Sequence, residues 1–170
     1  MQNQEKSSLL DQGVAQIGIL VRDLDATVKR YHEVFGIGPW HFYTYKKPLV
    51  KEMTYYGKPA DYSMRLALSY FGPMRIELIE PGEGDSVYND FVKEHGYGIH
   101  HLGLLTENMN ASIKEAQSAG IDMIMDGAGF GLDGDGHYAY LDTEKDFGVT
   151  LELIERPKGR LKPEKIYPPE

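Results

Sequence analysis

The chain repeats itself. Gln16 opens the segment QIGILVRDLDATVK and His101 opens HLGLLTENMNASIK, an offset of 85 residues. The offset holds through Gly18 and Gly103, Leu24 and Met109, Ala26 and Ala111, Thr27 and Ser112, Val28 and Ile113, and Lys29 and Lys114. A second pair follows in the same order, IELIEP from Ile76 and LELIERP from Leu151, so Glu77 corresponds to Glu152 at a shorter spacing. One supersecondary unit therefore occurs twice, and two such units must bury a common core. A length of 170 residues suits two small fused modules.

Each half reads as a strand, a helix and then further strands, an α+β pattern. Residues 15–21 alternate, with Ile17, Ile19 and Val21 on one face and Gln16, Gly18 and Leu20 on the other. Asp23 suits a helix N-cap, Leu24, Val28, Tyr31 and Phe35 recur at helical spacing, and Gly36 suits the left-handed stop. The second half copies this, with a helix from about Asn108, Met109, Ile113 and Ala116 on its apolar side, and Gly120 at its end. Strands are expected over Trp40–Tyr45, Met64–Tyr70 and Met74–Glu80, then near Asp122–Met125, His137–Leu141 and Val149–Ile154. The Gly- and Asp-rich stretch 126–136 reads as a flexible loop. The expected organisation is an extension over 1–11, module one over 12–81, a linker over 82–97, module two over 98–156 and a Pro-rich tail over 157–170.

Composition excludes several classes. A formal net charge of −8 argues against nucleic acid as partner. No apolar run approaches the ~20 residues of a membrane span, and the N-terminus lacks the pattern of a secretory signal. With no cysteine, thiol catalysis and thiolate metal sites are ruled out, and a cytoplasmic protein is the expectation.

Four polar residues fall on the strand face that turns away from the helices. Gln16 and His101 begin their strands there at equivalent positions, and Glu77 and Glu152 alternate against apolar neighbours. A buried carboxylate costs several kcal/mol unless it is paired or bound to a cation. A lone Glu in a strand is usually solvent-facing, and a lone His is more often structural than ligating. Here all four occupy two equivalent positions per half, which points to a shared cause: one divalent metal ion held by one nitrogen and three oxygens.

These features, paired β-α-β-β-β modules with that polar set, resemble the vicinal oxygen chelate superfamily, which includes glyoxalase I, methylmalonyl-CoA epimerase, extradiol dioxygenases and drug-binding resistance proteins. The resemblance covers roughly residues 13–156. It implies a cupped eight-stranded mixed sheet around a metal cleft, a homodimer, and ligands from the first and last strand of each module: Gln16, Glu77, His101 and Glu152. GYGIHHLG at 96–103, the preceding DFVKE and GIGP at 36–39 look like the epimerase branch. The order Gln, Glu, His, Glu is similar instead to the eukaryotic-type glyoxalase I set. An extradiol dioxygenase would want two histidines and a carboxylate on iron, and only His101 occupies a ligand position; His100 should point to the opposite face.

Enzymes of the epimerase and glyoxalase kind polarise a carbonyl on the metal while a carboxylate removes the neighbouring C–H proton. The resemblance thus implies a metal-dependent isomerase, epimerase or lyase, with Glu152 as base, Glu77 as its partner across the carbonyl, and Zn, Co, Ni or Mn as the cofactor. The alternative from another class is a non-catalytic, drug-sequestering binding protein of the same fold.

Module one is rich in aromatics between Trp40 and Phe71. Such residues are usually core, but together they suggest a pocket for a flat or apolar substrate part. Trp40, Phe42 and Tyr70 are the candidate lining, with Lys46 and Arg65 as candidates for holding an anionic group of a small-molecule substrate. His41 and His137 could donate to the substrate if they face the cleft.

Overall fold

The computed structural model describes residues 7–169. Module one runs through β1 (Gln16–Leu20), α1 (Leu24–Phe35), β2 (Trp40–Tyr45), a short hairpin of β3 (Glu52–Tyr55) and β4 (Lys58–Pro59), then β5 (Met64–Phe71) and β6 (Met74–Pro81). A helix α2 (Val87–His95) follows. Module two comprises β7 (Gly98–Leu105), α3 (Met109–Ser118), β8 (Met123–Phe130), β9 (Gly136–Leu141), a single turn α4 (Glu144–Phe147) and β10 (Thr150–Glu155). The chain then adds β11 (Lys165–Tyr167).

All strands join one curled open sheet in the order β11-β2-β5-β6-β1-β7-β10-β9-β8-β3-β4. Within each module the first strand runs parallel to the last, β1 to β6 and β7 to β10, and the other pairs are antiparallel. The modules meet where β1 and β7 pair antiparallel. Gln16 then lies opposite Gly103, and Gly18 opposite His101.

Local sequence fixes the helices. Asp23 accepts from the Ala26 amide at 2.9 Å and Asn108 from that of Ala111 at 3.0 Å, each satisfying an otherwise unpaired N–H of the first turn. Leu24 and Val28 of α1 pack on Trp40, Phe42, Ala67, Ile76 and Leu78, while Met109 and Ala116 of α3 pack on Leu104, Ala139, Leu141 and Leu153. Each fully buried Val, Leu or Met among them contributes roughly 1.5–3 kcal/mol. On the concave face, Val87 and Tyr88 of α2 pack with Leu66, Leu68, Ile79, Tyr138 and Tyr140. The stretch 82–97 therefore carries a helix that fills one end of the cup.

Two local expectations need correction. Residues 126–130 are not a flexible loop: they complete β8, because Gly127 gives room to a ring. A Cβ there would meet the Tyr138 hydroxyl at 2.2 Å. The other correction concerns β7. Its register against β1 shifts between Gly18 and Ile19, so two β7 residues, His100 and His101, are accommodated across one step of β1. This bulge cancels the alternation. His100 does not point to the opposite face: it is buried on the concave side against Tyr88, Phe91 and Tyr140.

A candidate metal centre

The central strands bring Gln16, Glu77, His101 and Glu152 together, and none is more than 8% exposed. Gln16 Nε2 donates to Glu77 Oε2 at 2.8 Å and to Glu152 Oε2 at 3.1 Å. His101 Nε2 lies 3.1 Å from Glu152 Oε2 and 3.4 Å from Glu77 Oε2. Two glycines make the space. A Cβ on Gly18 would fall 1.9 Å from His101 Cε1, and one on Gly103 would meet Ile154 Cδ1 at 2.7 Å and Gln16 Cβ at 2.9 Å.

Electrostatics bind the group tightly. Burial alone would lower the His101 pKa, but the Glu152 charge and hydrogen bond, with Glu77, raise it to about 9. Burial raises Glu152 despite the opposing pull of His101. His101 Nδ1 is 3.0 Å from His100 Nδ1. His100 is held neutral, its pKa lowered to about 2 by burial and then by the neighbouring His101 charge. His100 can thus accept the Nδ1–H of His101, which leaves Nε2 directed at the carboxylates.

Glu77, His101 and Glu152 fit a divalent cation: one ligating atom from each lies within 4.8 Å of the others. Separations of 3.1 and 3.4 Å are those of ligands sharing one ion at bond lengths of about 2.1 Å. Gln16 stands differently. Arg75 Nε donates to Gln16 Oε1 at 2.5 Å, so the amide turns its nitrogen toward the carboxylates. Ligation through Oε1 would require the amide to turn and leave Arg75.

A wall of phenols backs the centre. Tyr140 packs 5.1 Å from the His101 ring, centroid to centroid. Its hydroxyl shares a 2.8 Å hydrogen bond with Tyr88, and Tyr62 shares one of 2.9 Å with Tyr138. Burial raises all four phenol pKa values, so they remain neutral. On the other side lies a cavity of about 260 Å³ bordered by His41, Tyr43, Leu68, Tyr70, Arg75 and Arg160. It meets the centre through Arg75 alone, and neither it nor a larger cavity of about 790 Å³ beside α3 is lined by any of the four central residues.

Of the substrate-binding candidates, Tyr70 borders the smaller cavity and the other four do not. Trp40 and Phe42 share the helix-side face of β2 and are buried against α1. Arg65 pairs in register with Thr44 and Glu80 on that same face, and binds Asp25 at 2.7 Å and Glu80 at 3.3 Å. Lys46 is exposed in the turn after β2. The cleft-facing residues of β2 are the alternate ones, His41 and Tyr43. His137 faces outward and binds Asp126 at 2.8 Å. The sequence did not single out Arg75, and it placed His100 on the wrong face. Arg75 could have been found, because it precedes Glu77 by two residues and so shares its face; His100 could not, because its position depends on the bulge.

Two modules of this topology in one curled sheet, with a polar centre where their first strands meet, define a glyoxalase-like fold. The chain belongs to the glyoxalase/bleomycin resistance protein/dioxygenase superfamily, whose family model matches residues 15–140. Methylmalonyl-CoA epimerase from Mycobacterium tuberculosis superposes with a TM-score of 0.64 at 23% identity, over 93% of this chain and 95% of that one. A variant of the Streptomyces coelicolor methylmalonyl-CoA epimerase in complex with 2-nitronate-propionyl-CoA gives 0.65 at 22% identity, over 88% and 98%. By sequence, the uncharacterized protein YqjC of Bacillus subtilis is 26% identical over 143 residues, 84% of this chain and 91% of that protein. At these identities the structural neighbours show the fold. No helix of the described residues is long and apolar enough to cross a membrane.

Proposed function

We propose that the protein is a metal-dependent isomerase, epimerase or lyase that abstracts a proton next to a carbonyl. The observation that carries this reading is the convergence of Glu77, His101 and Glu152 at one buried point. A divalent ion held there, Zn, Co, Ni or Mn, would act as Lewis acid toward a substrate carbonyl. His101 supplies nitrogen ligation, oriented by His100. Glu152 is the proton-transfer base and Glu77 its counterpart on the opposite side of the carbonyl. Gln16 donates its amide protons to both carboxylates and so holds them in position, with ligation open to it once released by Arg75. The tyrosine wall excludes water, which keeps a carboxylate base effective.

An acyl thioester is the favoured substrate class, in line with the structural neighbours named for methylmalonyl-CoA; a hemithioacetal is the lyase variant. The same reading takes residues 12–81 and 98–156 as the two modules, and the protein as a cytoplasmic homodimer. The test is solvent deuterium exchange at the carbon beside the carbonyl of methylmalonyl-CoA and of a glutathione hemithioacetal. Exchange that requires added metal and is lost in Glu152→Gln supports the reading. Failure of both substrate classes to exchange with metal-loaded protein contradicts it.

A further inference from the structure

Arg75 is only 4% exposed, yet no carboxylate lies within ion-pair distance of it among the described residues. Its hydrogen bond runs from Nε to Gln16, and among the described residues neither terminal nitrogen of the guanidinium bonds a protein acceptor; neither is a sealed, unpartnered atom, so both are reached from the cavity that Arg75 borders. A buried guanidinium is costly unless an anion meets it. The pull of Glu77 and Glu152 reaches Arg75 through space, but a divalent ion would neutralise those two carboxylates. Arg75 would then face the cavity uncompensated.

Arg160 enters the same cavity from the chain after β10. The segment crosses to the far edge of the sheet and is held along the way. Gly159 O accepts from Leu132 N at 2.9 Å, Glu164 N donates to Phe42 O at 3.0 Å, and β11 pairs with β2. The strap therefore brings a second arginine to the border of the cavity that Arg75 lines. His41, Tyr43 and Tyr70 border it, and among the described residues no acidic side chain does.

We propose that Arg75 and Arg160 form an oxyanion-binding subsite that takes a carboxylate or phosphate group of the substrate, apart from the metal ligands. Guanidinium groups recognise both oxyanions through paired N–H donors. What the anion belongs to rests on the proposed function, whereas the subsite itself needs no metal.

The test is calorimetric titration of the metal-stripped, desalted full chain with malonate, with inorganic phosphate and with neutral malonamide. Arg160→Ala removes an exposed side chain, and Lys158→Ala removes one charge from the same strap as a control. The expected result is saturable binding of an anion but not of malonamide, weakened about tenfold in Arg160→Ala and unchanged in Lys158→Ala. Tighter malonate than phosphate would identify a carboxylate as the preferred group, and the reverse order a phosphate. Absence of saturable anion binding, or equal weakening in both variants, overturns the subsite. Metal content, measured on the same preparations before stripping, reports separately on the metal centre.

Discussion

His101 Nδ1 lies 3.0 Å from Nδ1 of its sequence neighbour His100, so one proton joins two consecutive imidazoles. His100 is the acceptor because burial keeps it neutral. Replacing an outer partner of a ligating histidine lowers metal affinity about 10–100-fold. His100→Phe should do this while leaving Glu77, His101 and Glu152 in place, as read by competitive metal titration. An unchanged affinity would mean that His101 is oriented by packing on Tyr140 alone.

Gly18 matters more than a strand glycine ordinarily would. The Cβ of Gly18→Ala would lie 1.9–2.4 Å from three atoms of the His101 ring. Overpacking of this kind costs about 1–3 kcal/mol, and here the displaced group is the imidazole itself. Denaturant unfolding should show that loss, together with loss of bound metal. Gly103→Ala should be milder, because the Ile154 methyl it meets can rotate away.

The phenol pair Tyr88 and Tyr140 offers a double-mutant cycle. Each single change to Phe strands the other hydroxyl in a dry site, at about 1–3 kcal/mol. The double change removes both polar groups together and should destabilise by less than the sum of the singles. Additive effects would show that each hydroxyl has another partner.

The strap is fastened at its far end by charge. Lys165 binds Asp25 Oδ1 at 2.5 Å, and Arg65 binds Asp25 Oδ2 at 2.7 Å. These hydrogen bonds, Lys165 first, hold the Asp25 pKa below its ordinary 3.8. A depressed carboxylate stabilises the fold above its unfolded pKa, and that contribution is lost as pH falls through the folded value. Protection of the amides at residues 165–167, relative to their intrinsic exchange rates, should therefore fall below about pH 4, and Asp25→Asn should show the reduced protection already at neutral pH. Because these groups are about half exposed, added salt should narrow the difference.

Legibility of the fold in the sequence followed the range of the forces involved. Asp23, Asn108 and the alternation of β1 are set by residues a few positions apart, so they could be read directly. The convergence of Gln16, Glu77, His101 and Glu152 could be anticipated because the repeat placed them on equivalent strands. Trp40 and Phe42 could not be assigned a face, since aromatic content is the same whether a ring meets α1 or the cleft; only the register with Ala67 decides it. The glycines at 127 and 129 read as a loop because the ring of Tyr138 that fills the space beside Gly127 comes from another strand. His100 was hidden for a similar reason, as a bulge arises from pairing with β1 and leaves no local mark.

The most direct measurement is metal content by elemental mass spectrometry on the purified wild type, His101→Ala and Glu152→Ala. Near one divalent ion per chain in the wild type, lost in both variants that remain folded by circular dichroism, is the expected result. A wild type that takes up no ion, even after incubation with Zn, Co, Ni and Mn, would contradict the metal centre.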